Sequence, residues 1–421
     1  MSEVFMSELA IFDPPEVQTA VEKGVWVDVF PANLNLNAGT IEFEIVPNDE
    51  YIDLNDTILT VNASVVKAAD GGALAQSDDV AFINAPMYSM FSDVLVYLNG
   101  ERVDGGDQVY PYKAMISMLF AYSNHALSQQ MLSVGYIKDI AGEMDSPDKN
   151  AARKARGKWN VGRTYIGRLL IDTFQQSRYL LNGVGVRIVL NRAAPEFALH
   201  AAAQTTTKAK FQINSAKLSV RRVRVAEAIA RIHEQTLTRT NALYPFPKKV
   251  ISTYNLLAGS RGFVKENLYN GKIPKLLIVT MVAADAYNGS YTKNPYNFIH
   301  EKVVLVSVKK DGENVPAQPY EPDFENGSWM REYASIYANC SLMGREENLS
   351  FTHDEYASGY TFFVFNLTPD LSMTNALLPN SNIRLEVRFS AALTQTITLL
   401  VFGVFDGLFE IDKDRNVYVL H

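Results

Sequence analysis

One cysteine, Cys340, in a chain of 421 residues leaves no partner for an intramolecular disulfide, so a core rather than cross-links must hold the fold, as suits a reducing compartment. No histidine neighbours it in sequence to stabilise a thiolate, and Cys340 reads as a small buried hydrophobe. Histidine is scarce as well: the six are His125, His200, His233, His300, His353 and His421, and none has the His-x-x-x-His spacing of a metal site. The one tight polar run, His353-Asp354-Glu355, reads as a solvated turn, because sequence neighbours do not converge on one ion without distant ligands. No stretch reaches the roughly 20 apolar residues of a membrane-crossing helix. The longest, Ile397–Phe405, is interrupted by Thr398 and Gly403 and reads as a buried strand. The opening MSEVFMSELAIFDPPE has no basic start followed by an apolar run, so no export signal is expected. Asn-x-Ser/Thr triplets such as those at Asn55 and Asn288 are then chance occurrences.

The phosphate-cradling Gly-x-x-x-x-Gly-Lys-Ser/Thr, the dinucleotide Gly-x-Gly-x-x-Gly and the Gly-x-Ser-x-Gly elbow are all missing. Asp323 and Glu325 evoke paired glycosidase carboxylates, but such pairs come from separate strands across a cleft. No catalytic residue, cofactor-binding residue or metal ligand is assigned, and the chain is read as a non-enzyme without cofactors. A net charge of −7, from 39 basic and 46 acidic side chains, excludes a surface that binds nucleic acid throughout.

What the sequence does have is 47% hydrophobic residues, enough for a large core, and a length that suits two or three domains. Short runs of alternating apolar residues bounded by Asn, Asp, Gly or Pro recur at Ile41–Val46, Thr57–Val66, Val94–Leu98, Tyr165–Phe174, Val184–Leu190 and Phe211–Val225. They predict an all-β sandwich. The order then repeats. Val94, Val96 and Leu98 lead into Asn99-Gly100, and Val304, Val306 and Val308 lead into Asp311-Gly312. Each pair supplies the positive φ of a tight hairpin turn. A Pro/Tyr element follows each hairpin, Tyr110-Pro111 or Pro319-Tyr320. Thr57–Val66 has its counterpart in Lys275–Ala284, and Val184–Leu190, after the turn Asn182-Gly183, has its counterpart in Ile383–Phe389. Both halves close on a further strand, Phe211–Val225 or Ile397–Phe405. The fold expected is two tandem eight-stranded antiparallel jelly-roll β-sandwiches, with short helices in loops.

The expected domains are an N-terminal arm over 1–40, a first jelly roll over 41–235 and a second over 236–421. A short helix is expected around Glu16–Lys23, closed by Gly24. Another, over Tyr112–Leu132, has Met115, Met118, Leu119 and Tyr122 at helical spacing. Ala226–Asn241 reads as a connector helix stopped by Tyr244-Pro245-Phe246-Pro247. Ser146–Arg168 carries Lys149, Arg153, Lys154, Arg156, Lys158 and Arg163. It reads as a mobile solvated loop or as a contact for nucleic acid or an acidic neighbour.

The runs Tyr51-Ile-Asp-Leu-Asn-Asp-Thr, Phe91-Ser-Asp-Val-Leu-Val-Tyr-Leu-Asn-Gly, Tyr110-Pro-Tyr, Arg178-Tyr-Leu-Leu-Asn-Gly, Pro322-Asp323-Phe324-Glu-Asn326-Gly327, Gly359-Tyr-Thr, Leu367-Thr-Pro-Asp-Leu and Glu410-Ile-Asp resemble capsid proteins of Polinton (Maverick) elements and adintoviruses. The resemblance runs from about Pro15 to the C-terminus. It implies a double jelly-roll major capsid protein whose homotrimers form pseudo-hexagonal capsomers and tile an icosahedral shell around double-stranded DNA. The implied partners are neighbouring capsomers, penton or minor capsid proteins and, through non-specific contact, packaged DNA. The implied location is the virion, after synthesis in host cytoplasm or nucleus, with no secretion and no membrane span. The competing readings are a penton or minor capsid protein of the same viruses, a carbohydrate-binding β-sandwich and a β-sandwich hydrolase.

Overall fold

The computed structural model describes residues 18–75, 78–202, 205–344, 348–369, 371 and 381–420. Its first half contains β1 (Val21–Val29), β2 (Thr40–Ile45), β3 (Tyr51–Lys67), β4 (Val80–Phe82), β5 (Phe91–Leu98), β6 (Glu101–Asp104), β7 (Arg163–Arg168), β8 (Val186–Arg192), β9 (Leu199–Ala201) and β10 (Ala209–Val225). Its second half contains β11 (Ala242–Leu256), β12 (Gly262–Lys265), β13 (Leu276–Ala283), β14 (Val303–Lys310), β15 (Glu313–Tyr320), β16 (Phe363–Asn366), β17 (Ile383–Phe389), β18 (Ile397–Ile411) and β19 (Val417–Leu420).

The first half pairs as β1-β10-β3-β7 and β2-β8-β5-β6, the second as β11-β18-β13-β16 and β12-β17-β14-β15. All of these ladders are antiparallel. Set aside the small β4/β9 pair and the terminal β19, and count eight strands in each half. Both halves then have one sheet ordered first-eighth-third-sixth and one ordered second-seventh-fourth-fifth. That order is a jelly roll, and its recurrence makes the fold a double jelly roll, as the repeated hairpins predict. The counterparts read from the sequence occupy equal positions: β3 and β13 are third strands, and the two Asx-Gly turns join fourth to fifth.

Alternation builds β3, whose odd positions Leu59, Val61 and Ala63 are buried while Ile58, Thr60 and Asn62 look outward. Its counterpart β13, LLIVTMVA, is buried throughout because both of its faces are covered. One apolar cluster, with Leu277, Val279, Leu399 and Val401, fills the second sandwich. The other fills the first sandwich and runs on into the junction, where it takes in Ile278, Leu400, Phe402 and Phe362.

Three expectations are corrected. The helix around Glu16–Lys23 is not present at Val21–Lys23: this stretch opens β1, which pairs with β10 from Val21↔Val225 to Val29↔Leu218. Unpaired edge groups of β10 outweigh the helix propensity of Ala, Glu and Lys. The first strand of the first sandwich thus falls inside the stretch read as an arm, most of whose remainder, residues 1–17, lies outside the described residues. Second, the Tyr244–Pro247 stop is part of the long strand β11. Among the described residues that strand pairs only with β18, and on such an edge the missing N–H groups of Pro245 and Pro247, two apart, face the same unpaired side. Third, the strand expected over Tyr165–Phe174 ends at Arg168, and Asp172–Phe174 is a single 3-10 turn. The helix expected over Tyr112–Leu132 forms as Tyr110–Ala121 and Asn124–Gln129, and the connector as Glu227–Leu237.

Candidate functional site: the turns and the junction between sandwiches

The two equivalent hairpin turns are built alike. Asn99 and Gly100 have φ of 46° and 88°, Asp311 and Gly312 of 51° and 90°, the paired positive values of a type I′ turn. In the first sandwich, the Asn99 N–H donates to the carbonyl of Gly185 (2.9 Å), and the Gly185 N–H donates to Asn99 Oδ1 (2.7 Å). In the second, the Asp311 N–H donates to the carbonyl of Asn382 (3.0 Å), and the Asn382 N–H donates to Asp311 Oδ1 (3.2 Å). Gly185 and Asn382 each immediately precede the seventh strand. An Asx side chain at the first turn position therefore locks the fourth-to-fifth hairpin to the seventh strand twice over.

Among the described residues, only the first of these turns also bonds to the other sandwich. Arg415, in the turn between β18 and β19, donates from Nε to the Asn182 carbonyl (2.8 Å) and from Nη2 to Asn182 Oδ1 (3.1 Å), and pairs with Glu234 of the connector helix. Asn99 Nδ2 donates to the Arg415 carbonyl (2.8 Å). Gly183, with φ of 73°, lies beneath the same guanidinium. The structure thus brings Asn99, Gly100, Asn182 and Gly183 together around one arginine, while Asp311 and Gly312 stand apart. Nothing in the local sequence around Arg415 marks it; its partners are 181 to 316 positions away.

Tyr110 and Pro111 start the helix Tyr110–Ala121, with the proline in the first turn where its missing N–H costs nothing. Tyr112 of this helix stacks on Tyr287 at 5.6 Å, and Phe120 meets Phe362 edge-on at 5.2 Å, both rings of the second half. Pro319 and Tyr320 instead close β15, and the Tyr320 hydroxyl donates to the Val364 carbonyl. Asp323 accepts the N–H groups of Glu325 (3.1 Å) and Asn326 (3.0 Å), and Gly327 completes the turn with φ of 78°. Its carboxylate is occupied with its own loop rather than facing a catalytic partner. Phe324 begins a ring stack, with His300 at 4.0 Å and Trp329 at 5.4 Å; Trp329 continues to His353 at 5.3 Å. His353, read as part of a solvated turn, opens the helix His353–Tyr356, capped reciprocally by Thr352 and Glu355.

The basic stretch is not a mobile solvated loop. It forms a helix, Ala151–Gly157, capped by the Asn150 side chain, and then β7. Arg153 and Arg156 are buried. Arg153 donates to Asp79 Oδ1 (2.7 Å) and to the carbonyls of Asp79 and His200; Arg156 donates to Asp139 Oδ1 (2.6 Å) and to the carbonyls of Phe82 and Ile137. Neither is available to an outside partner, which corrects the contact reading for these two. Sequence alone reads both as surface cations because their carboxylates are distant in the chain. Lys154 and Lys158 are exposed, Lys149 pairs with Glu143 at 3.3 Å, and Arg163 stacks on Trp159 at 3.7 Å.

Asp139 carries the network across the junction. Besides Arg156 it accepts Asn150 Nδ2 (3.0 Å) and, from the second half, Asn294 Nδ2 (3.3 Å), and its carbonyl takes the Tyr360 hydroxyl (3.1 Å). His200, also buried here, has its imidazole held down to about 4 by burial and by the Arg153 charge, and its Nε2 finds no hydrogen-bond partner. On the other side of the junction a cleft of about 730 Å³ is lined by Lys113, Asp104, Asp107, Asp172 and Lys249. Asp172 accepts the Lys249 N–H (2.7 Å) and lies 3.5 Å from Lys113 Nζ. Burial pushes its carboxyl up to about 6 against the pull of both lysines. Cys340 is half-buried, and desolvation raises its thiol to about 12, which leaves it unreactive at neutral pH. Among the described residues no group of three or more His, Cys, Asp or Glu is placed to hold a metal ion, and no helix is long and apolar enough to cross a membrane.

Fold and junction together define the class: a double jelly roll with two docked sandwiches. The solved structures it resembles include viral ones. A chain of the Sputnik virophage matches with a TM-score of 0.67 and 12% identity, over 100% of this chain and 93% of that one. The mavirus major capsid protein matches at 0.53 and 12%, over 100% and 96%. The Faustovirus major capsid protein matches at 0.58 and 10%, over 97% and 92%. In sequence, an uncharacterized protein of Caenorhabditis elegans is 22% identical over 96% of this chain and 99% of its own length. No family model matches the chain.

Proposed function

We propose that the chain is a structural major capsid protein, of the kind encoded by Polinton-like elements and adintoviruses. In this reading it forms homotrimers, each a pseudo-hexagonal capsomer, that tile an icosahedral shell around double-stranded DNA. The observation that carries the reading is the duplication itself: two sandwiches of identical strand order in one chain, docked side by side. Three copies present six alike units, the geometry a near-hexagonal tile needs. The full-length likeness to virophage and giant-virus capsid proteins supports it, and a full-length relative in an animal fits a gene carried in an integrated element. The protein acts by assembly and not by catalysis; its partners are neighbouring capsomers and penton or minor capsid proteins, and its place is the virion, after synthesis in host cytoplasm or nucleus. Of the basic stretch, Lys149, Lys154 and Lys158 are the side chains left to touch packaged DNA, without sequence preference. Native mass measurement on the purified protein tests the reading: a trimer is expected, and a stable monomer throughout the micromolar range would contradict it.

A further inference from the structure

The connector helix Glu227–Leu237 joins the two sandwiches, yet of its 11 residues only Leu237 is buried. It is held at points rather than along a packed face. Just before it, the Ala226 N–H donates to the Ala20 carbonyl (2.9 Å); within it, His233 Nδ1 is hydrogen-bonded to the Tyr51 hydroxyl (2.9 Å), and Glu234 pairs with Arg415. Beneath the helix lies a cleft of about 380 Å³. Tyr51, Tyr179, Leu181, Leu237, Leu243 and Tyr244 line it, so both sandwiches and the helix between them each contribute an apolar wall.

The walls are fixed by the protein itself. Tyr244 stacks on Phe409 at 4.7 Å, and its hydroxyl donates to the Tyr179 carbonyl (3.2 Å) and accepts the Leu181 N–H (3.1 Å). With the Tyr51 hydroxyl taken by His233, these two tyrosines give the lining mainly ring carbon. The charged exception is Arg178, which lines the same cleft and is exposed to solvent. Among the described residues its guanidinium makes one hydrogen bond, from Nη1 to the Leu243 carbonyl (2.5 Å), and no ion pair. Glu410, across the strands from Leu243, is bonded instead by Asn241 Nδ2 (3.0 Å). A guanidinium has five N–H donors in a planar fork, so most of this fork is open. An open fork at an apolar cleft suits a carboxylate that carries an aliphatic tail.

We propose that the cleft under the connector helix binds a free medium-chain aliphatic carboxylate, with the tail among Tyr51, Leu181, Leu237 and Tyr244 and the head on Arg178. At about 30 Å³ per heavy atom, the share of a water in the liquid, the cleft holds roughly a dozen atoms, the size of decanoate. Because the lining comes from both sandwiches and from the helix that joins them, an occupied cleft ties the connector to each. The assignment stands independently of the capsid reading.

The test is isothermal titration of the full chain with hexanoate, octanoate and decanoate, and with octanol as the uncharged control. Saturable binding at one site per chain is expected, tightening about fourfold with each added methylene. Two variants, each checked by a melting curve, change side chains that are exposed. Arg178→Gln should weaken octanoate at least tenfold and leave octanol within twofold; Thr236→Trp, which fills the cleft from the helix side, should weaken both at least tenfold. The absence of saturable decanoate binding in the millimolar range would overturn the assignment. So would an affinity that does not change with tail length, or octanoate bound by both folded variants as tightly as by the parent. Were Arg178→Gln to unfold, the tail-length series on the parent and Thr236→Trp decide in its place.

Discussion

His200 and Arg156 show how single residues hold the junction. The folded-state value of His200, about 4, lies below its unfolded value of 6.5. The unfolded chain thus binds its proton first, so its contribution is full above pH 6.5 and is lost as pH falls toward 4, by at most about 3 kcal/mol. Asp172, raised to about 6 from 3.8, acts in the opposite sense and gains stability over the same acid range. The clean measurement is a difference: His200→Phe should lose less melting temperature than the parent between pH 7 and pH 5, and parallel pH profiles would count against this role. Arg156→Met leaves Asp139 buried beside two amide donors but no cation; a loss of about 3–5 kcal/mol is expected in urea unfolding. A loss under about 1 kcal/mol would mean that the amides alone satisfy Asp139.

Among elements, the Asx-Gly hairpins are the clearest case of one device used twice. Asn99→Ala and Asp311→Ala each put a Cβ-bearing residue without a local acceptor at positive φ and remove one bond to the strand-seven loop, a cost of roughly 1–2 kcal/mol apiece. Asn99→Ala should cost more, because it also frees the Arg415 turn, and amide exchange around Asn182–Gly185 should quicken in that variant alone. Equal costs and unchanged exchange would show that the Arg415 clamp contributes nothing. Elements whose side chains alternate or form turns were legible in the sequence: β3, β5, the hairpins, β8 and the connector helix. Those missed were set by neighbours. β1 follows the open edge of β10, β11 keeps its prolines because it too is an edge, and short β12 and β16 carry too few residues to show a period. The burial of Arg153 and Arg156 was illegible for the same reason, since it depends on Asp79 and Asp139 arriving from far along the chain.

At the scale of the whole molecule, duplication was the readable signal and docking was not. The repeated order of apolar runs and turns foretold two alike sandwiches, but not that the second would seat its sheet on the helix end of the first. The trimeric capsomer is the central claim, and electron microscopy of the purified protein tests it most directly. Class averages should show a three-fold particle with six lobes and a near-hexagonal outline, whereas isolated two-lobed particles or five-fold rings would contradict it.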